Sequence, residues 1–362
     1  MEGTGLTWSG SNHTNLNGSS QSDQVDPSAR LFFILAYSLV FLVGLLLNGF
    51  TLKVYCCSSQ RQASSSVTIY LKNLVAADFL ISLCLPLRIS HYASSSDGVF
   101  RVYCSFGASA FYLNMYASIL FMGYIAANRY LKIVHPLGTH ILQTVRAAHV
   151  VSSLTWVFLL ATMTTYVTLS ILTQDAQLSG SNTVSCDALH SKKLSVFYKI
   201  IHSCMAVIFV LVLVSLIFFY YSTSRRLAEA QLRQPASSSS KKLVKSRRNM
   251  LVLVCVFCVC FVPYHLVRLP YAFLRGRSSL SQAFYYLKEV TVMVSVLNVC
   301  LDPLLYFLFC KAFRAQLGLG RAHSSGSDPT LRAKVEGRSS EGQTSTINRK
   351  LSLSTVKMIG VQ

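Results

Sequence analysis

Seven stretches of this chain are apolar for about 20 residues or more, the length a helix needs to cross the hydrocarbon core of a bilayer. They run from Leu31 to Tyr55, Val67 to Tyr92, Phe100 to Val134, Ala147 to Leu172, Leu194 to Thr223, Asn249 to Leu274 and Ala283 to Phe309. Several are apolar on every side, as helices in contact with lipid or with one another are. Composition agrees with a membrane protein. Only 13% of residues are charged and 52% are hydrophobic, where a soluble domain carries about 25% charged residues. The net charge of +20 does not indicate a nucleic-acid partner, because such proteins set a dense basic face on a modest core. A disordered basic chain would not hold 18 Tyr and 21 Phe.

Where the charges fall predicts orientation. Eight Lys or Arg residues lie between Arg225 and Arg248 against the single acid Glu229, and the positive-inside rule places that connection in the cytosol. With seven spans, the N-terminus is then outside and the C-terminus inside, a plasma-membrane arrangement facing anionic inner-leaflet lipid. Residues 1–30 are polar with no apolar signal core, so a cleaved leader is not expected. Asn12-His13-Thr14 and Asn17-Gly18-Ser19 are glycosylation sequons for an extracellular tail. The connections read as short except at 174–186 and 224–248. No internal repeat is visible, which disfavours an inverted-repeat transporter.

Nine of the 11 Cys lie within spans or at their inner edges. Cys255-x-x-Cys258-x-Cys260 has the spacing of a metal motif, but inside a lipid-embedded helix we read it as polarizable packing. Cys104 and Cys186 alone fall in oxidising space and are expected to form one disulfide. Asp78 and Asp302 are midspan acids, a costly placement and by default a functional one. Asn48, Ser118 and Asn298 are the polar residues expected to join them. Such a group can hold a cation, a proton or water, or can serve only as hydrogen-bonding glue between helices.

Arg129 closes the third span in Ala127-Asn128-Arg129-Tyr130. It coincides with Trp156 in the fourth span, Phe261-Val262-Pro263 in the sixth and Asp302-Pro303-Leu304-Leu305-Tyr306 in the seventh. Pro263 and Pro303 interrupt the backbone ladder and predict kinks. Lys311-Ala312-Phe313-Arg314 with Leu317 predicts a short amphipathic helix on the membrane surface. In this register the chain resembles a rhodopsin-like (class A) G-protein-coupled receptor over residues 31–319. The resemblance implies an all-α membrane fold, with a seven-helix bundle over 31–310, a surface helix over 311–319 and a cytoplasmic tail over 320–362. It implies that an extracellular ligand swings the sixth span outward to admit a heterotrimeric G protein. Arg129 is then the inner switch, Tyr220 and Tyr306 its active-state partners and Phe261 the pivot. Asn48, Asp78, Ser118, Asn298 and Asp302 become a sodium pocket. Two departures stand out. The family's acid before the switch arginine is Asn128, which predicts raised basal activity, and its pivot Trp is Phe261. Val296 stands where an opsin carries its retinal lysine, so an opsin is excluded.

The outer halves of spans six and seven carry Arg268 and Lys288, with Arg275 and Arg277 between. Tyr112, Tyr116, Tyr198, His202, His265 and Tyr271 lie at about the same depth. Converging Arg and Lys suit an anionic ligand, held bidentately by a guanidinium; snorkelling, with Lys288 paired to Glu289, is the alternative. Tyr70-Leu71-Lys72-Asn73, the run Phe261 to Tyr271 and Lys288-Glu289 are similar to the purinergic nucleotide receptors for ADP or UDP-sugars. That likeness implies that Tyr112, His265, Arg268, Tyr271 and Lys288 contact a phosphate-bearing ligand and that signalling runs through Gi-type proteins. The neutral Asn128, Ile201-His202 and the lack of the branch's second outer disulfide are closer to the platelet-activating factor receptor, which implies a phospholipid, lysophosphatidylserine included. Apolar capacity between spans four and five would separate the two.

Residues 320–362 read as a disordered tail whose Ser and Thr residues suit receptor kinases and, once phosphorylated, arrestin. Cys310 is a candidate for acylation. No H-E-x-x-H or G-x-S-x-G motif supports an intramembrane enzyme.

Overall fold

The computed structural model describes residues 26–58, 65–94, 96–135, 140–173, 186, 190–233, 238–274, 281–309 and 313. Seven helices long and apolar enough to span a bilayer make up most of the described chain. They are α1 (Pro27–Ser58), α2 (Ser66–Ala93), α3 (Asp97–Val134), α4 (Val145–Leu172), α5 (Lys192–Arg233), α6 (Ser238–Leu274) and α7 (Ser281–Val296, continuing as Asn298–Phe309). The sequons at Asn12 and Asn17, the tail and Cys310 lie outside the described residues. Of the surface helix predicted for 311–319 only Phe313 is described, helical and packed edge-on against Phe50 at 5.8 Å.

Local sequence explains where helices start and bend. Ser65 caps α2 by accepting from the Thr68 N–H, and Thr144 caps α4 by accepting from that of Ala147. Pro86, Pro263, Pro270 and Pro303 sit inside α2, α6 and α7, and α7 is interrupted by a turn at Leu297 just before Asn298. The connection read as a long basic loop is a correction. α5 runs on to Arg233 and α6 begins at Ser238, so 224–248 is helical except for 234–237, which lie outside the described residues. The extension carries helix-forming Leu and Ala, an Arg225–Glu229 pair one turn apart and a buried Leu227.

The burial pattern is that of a bundle in lipid. Leu31, Leu35, Leu39, Leu42 and Leu46 form an exposed stripe along α1, while Phe33, Tyr37, Val40 and Asn48 face inward. An apolar stripe this long would drive aggregation in water. α3 is the central helix, with 72% of its most apolar 18-residue stretch buried, against 17% for α4 and 22% for α5, which turn mostly to lipid. At Gly44 α1 meets α7 so closely that an added Cβ would lie 2.5 Å from Val299 Cγ1 and 3.0 Å from Ser82 Oγ. Both neighbours are buried. Gly44→Ala is therefore expected to cost about 1–3 kcal/mol by overpacking, read as a lower thermal midpoint of the purified protein; an unchanged midpoint would show that the contact relaxes freely.

Candidate functional site

Cys104, in a π-helical segment of α3 (Tyr103–Gly107), is bonded to Cys186 with 5.2 Å between Cα atoms, as the sequence predicted. At this end of the bundle lies a cavity of about 490 Å³. Arg88, Arg268, Lys288 and Glu289 line it, all buried. Burial rules out simple snorkelling for Arg268 (6% exposed) and Lys288 (8%). The guanidinium of Arg268 lies over the rings of Tyr112, Tyr198 and Tyr271 at 5.1, 5.2 and 5.8 Å. The Lys288 ammonium sits 4.6 Å from the Tyr285 ring centre and 5.1 Å from that of Tyr271. Aromatic faces attract these cations and fix their direction without using up their capacity to donate to an anion.

Glu289 organises the α2–α7 wall. One carboxylate oxygen accepts from Arg88 Nη2 at 2.5 Å and from the Tyr92 hydroxyl at 2.5 Å, and the other pairs with Lys288 Nζ at 2.6 Å. Arg88 Nη1 also donates to the Tyr103 hydroxyl at 2.7 Å, and its guanidinium lies over Tyr37. Sequence reading gave Glu289 only as the alternative partner of Lys288 and overlooked Arg88. An arginine inside the outer end of the second span, in Leu87-Arg88-Ile89, was the available signal.

Not all the predicted ligand residues line this cavity. Tyr112, Tyr198, Arg268 and Lys288 do, and Tyr271 braces the two cations from behind. His265 lines neither this cavity nor the apolar one beside it. Its Nδ1–H donates to the Phe261 carbonyl at 2.8 Å, and its ring stacks on Phe209 at 3.7 Å. Tyr116 packs edge-on against His265, and His202 packs edge-on against both Tyr112 and Tyr198. Tyr116 and His202 line that second, apolar cavity, of about 560 Å³, between α3, α4 and α5.

Below His265 a ladder of rings, Phe209 to Phe257 at 5.6 Å and Phe257 to Phe261 at 5.3 Å, descends beside Pro263 into the core. There Asp78 accepts from Ser118 at 3.2 Å, from Asn298 at 3.4 Å and from the Tyr306 hydroxyl at 2.5 Å. Tyr306 is thus held on Asp78, whereas the resemblance made it an active-state partner of Arg129. Asn48 ties α1 to α7 through the carbonyls of Gly44 and Val299, acting as helix glue. Among the described residues both Asp302 oxygens and the side-chain oxygens of Asn48 and Asn298 are buried without a hydrogen-bond donor. So many buried acceptors with so few donors fit a small hard cation, which binds oxygens. Asp78, Ser118, Asn298 and Asp302 would hold it, and its charge would offset the two carboxylates.

At the far end Arg129 donates to the Phe309 carbonyl at 3.5 Å and lies over that ring at 4.7 Å, joining α3 to α7. Asn128 donates instead to Ser66 Oγ at 2.8 Å and to the Leu142 carbonyl at 3.4 Å. Tyr130 stacks on Phe219 at 4.8 Å, next to the half-buried Tyr220. Trp156 Nε1 donates to Asn73 at 2.9 Å, fixing α4 on α2. Cys255, Cys258 and Cys260 are exposed, half-buried and buried in turn, and no group of three or more His, Cys, Asp or Glu residues placed to hold a metal ion occurs among the described residues.

Seven spans with a disulfide and a polar cavity at one end and Arg129 packed against Phe309 at the other define a polytopic membrane protein. The model of the 7 transmembrane receptor (rhodopsin family) matches residues 47–306, and the chain belongs to that family. It is 35% identical over 287 residues to purinoceptor 14 of Bos taurus, covering 78% of this chain and 82% of that one. It is 30% identical to purinoceptor 13 of Homo sapiens over 86% and 88% of the two chains. It is 29% identical to the platelet-activating factor receptor of Cavia porcellus over 82% and 87%. It is a multi-pass membrane receptor of this branch and not an enzyme.

Proposed function

We propose that this receptor senses an extracellular phosphate-bearing ligand and passes the signal to a heterotrimeric G protein of the Gi type. Its N-terminus faces outward, and receptor kinases and arrestin act on its cytosolic tail. The observation that carries the reading is the buried cluster of Arg88, Arg268 and Lys288 around one carboxylate, Glu289. Among the described residues, three cations against one anion give the cavity a positive balance in a low-dielectric setting, where a phosphate gains most from charge-assisted hydrogen bonds. A nucleotide or nucleotide-sugar supplies such a phosphate, and the tyrosine faces suit its base; the purinoceptor names of the relatives favour this form. A phospholipid headgroup presents the same charge. Nucleotide exchange on a purified Gi protein, driven by the full-length receptor and a panel of nucleotides, nucleotide-sugars, lysophospholipids and their phosphate-free counterparts, tests the reading. Activation only by phosphate-bearing members is expected, and equal activation by the phosphate-free ones would end it.

Ligand binding shifts Arg268 and Lys288, and α6 carries the movement through His265 and the ring ladder to its kink at Pro263. Sodium in the pocket around Asp78 and Asp302 favours the resting bundle. Asn128, being neutral, holds Ser66 and cannot restrain the neighbouring Arg129 as a carboxylate would. Basal exchange is therefore expected to fall severalfold in Asn128→Asp and to rise when sodium is replaced by choline. Unchanged basal exchange in Asn128→Asp would remove the first assignment, and indifference to sodium the second.

A further inference from the structure

We propose that the basic blade formed by the inner ends of α5 and α6 docks the chain's own tail once Ser339, Ser340, Thr344, Ser345 and Thr346 are phosphorylated, an inference that rests on the kinase reading above. α5 continues past its apolar run over 224–233, and α6 approaches it over 238–248. Leu227 and Ser240 are buried, and Thr223 Oγ1 donates to Met250 Sδ at 3.4 Å, so the two extensions are pinned together at their root. All eight Lys and Arg residues of 225–248 are exposed, and Glu229 is the single acid of that stretch. Lys241, Lys245 and Arg248 recur at i, i+4 and i+7, which sets them on one face of α6.

Position argues against lipid as the partner of the tip. At about 1.5 Å per residue, Arg233 lies about 15 Å beyond Thr223 along α5, and Lys241 about 13 Å beyond Met250 along α6. Anionic headgroups reach the root of the blade, but its tip stands farther off than the Debye length of about 8 Å. The tip therefore takes its counter-charge from the cytosol. The tail is the nearest source. Asn249 Nδ2 donates to the Leu308 carbonyl at 3.4 Å, so α7 ends against the root of the blade. From Phe309 the chain has 30 residues (339 − 309) in which to reach the tip with Ser339. Even with 311–319 wound into a helix, the remainder spans well over that distance at about 3.3 Å per residue. Attachment to the same chain also gives the segment a local concentration on the order of millimolar. Charge makes the contact conditional. Unmodified, 320–362 carries seven Lys or Arg against three acids and is repelled by the blade. Five phosphates add about −7.5 to −10 within 339–346, a stretch that holds Glu341 and no Lys or Arg. The exposed cations then hold phosphate by charge-assisted hydrogen bonds. A segment lying across both extensions ties α5 to α6, the helix that carries the signal.

The test follows, by fluorescence anisotropy, a labelled peptide of residues 335–348 carrying all five phosphates or none, on the full-length receptor in phosphatidylcholine nanodiscs. Phosphatase-treated receptor should bind the phosphopeptide at least about tenfold more tightly than the plain peptide. Combining Lys241→Gln, Lys242→Gln and Lys245→Gln, all at exposed positions, should weaken that binding about tenfold with the thermal midpoint unchanged. Lys192→Gln with Lys193→Gln, at the outer end of α5, should leave it as it was. Receptor treated with a receptor kinase, its phosphates on 339–346 verified by mass spectrometry, should no longer take up the peptide, because its own tail fills the surface. Equal binding to wild type and the triple variant would overturn the docking site and leave the kinase reading standing. Undiminished uptake by phosphorylated receptor would also overturn it, since the surface would then serve some other acidic partner. Loss of phosphopeptide binding once phosphatidylserine is added to the nanodiscs would assign the blade to lipid and overturn it as well. A tail that takes up no phosphate would end the kinase reading and the proposal with it, even where the synthetic phosphopeptide binds.

Discussion

Replacing Arg268 by Ala is expected to weaken the most potent phosphate-bearing agonist of the panel at least about thirtyfold, with little effect on receptor stability. Arg268 is buried in the wall of the polar cavity and lies over three tyrosine rings. Truncating one partner of a buried, hydrogen-bonded charge pair costs about 2–5 kcal/mol of binding free energy, and about 1.4 kcal/mol is a factor of ten. Most of the loss is expected in a faster off-rate. Arg268→Lys should fall between Arg and Ala, because an ammonium keeps the charge but cannot offer a planar fork while lying over those rings. The effect must depend on the phosphate. A weakly binding phosphate-free analogue should lose little with the same substitution, which radioligand displacement on wild-type and variant membranes measures. Equal losses for both ligands would mean that Arg268 shapes the pocket without touching the anion.

The spans, the disulfide and the cations at its end of the bundle were legible because each obeys a constraint one chain can display. Lipid demands long apolar runs, oxidising space leaves two candidate cysteines, and buried charge is rare enough to notice. The Arg88–Glu289 pair was not legible, since its members are 201 residues apart and only packing α2 against α7 makes them neighbours. Hydropathy also hid the ends of α5 and α6. Past Thr223 the apolar signal stops at the membrane surface, while the helical ladder continues on Leu and Ala to Arg233. His265 shows a different limit. Its i, i+3 spacing with Arg268 correctly put both on one side of α6, but spacing cannot show that the imidazole is already engaged by the Phe261 carbonyl and the Phe209 ring. Likewise Tyr306 could be read as a switch residue, while its position on Asp78 depends on how far α7 is wound beyond the turn at Leu297.

Glu289→Ala is expected to be the most damaging single change to the fold, costing about 3–5 kcal/mol. The carboxylate is the shared counter-ion of Arg88 and Lys288, and its removal leaves two buried cations facing each other across α2 and α7. The neighbouring groups do not relieve the penalty. Arg30, which donates to the Tyr92 carbonyl at 2.8 Å, and His91, stacked on Tyr103 at 4.4 Å, offer no replacement anion. Lys288 has an escape, since its flexible stem can turn toward the cavity. Arg88 has none, enclosed by Tyr37, Tyr103 and Phe111. The loss should therefore be recovered in part by Arg88→Met combined with Glu289→Leu, which replaces the pair by apolar groups of similar size. A double-mutant cycle on the thermal midpoint of purified receptor isolates the coupling, and a strongly non-additive result is expected. If Glu289→Ala were as stable as wild type, or the two changes simply added, the pair would be a bystander and the cavity's charge would be held in place by the tyrosine rings alone.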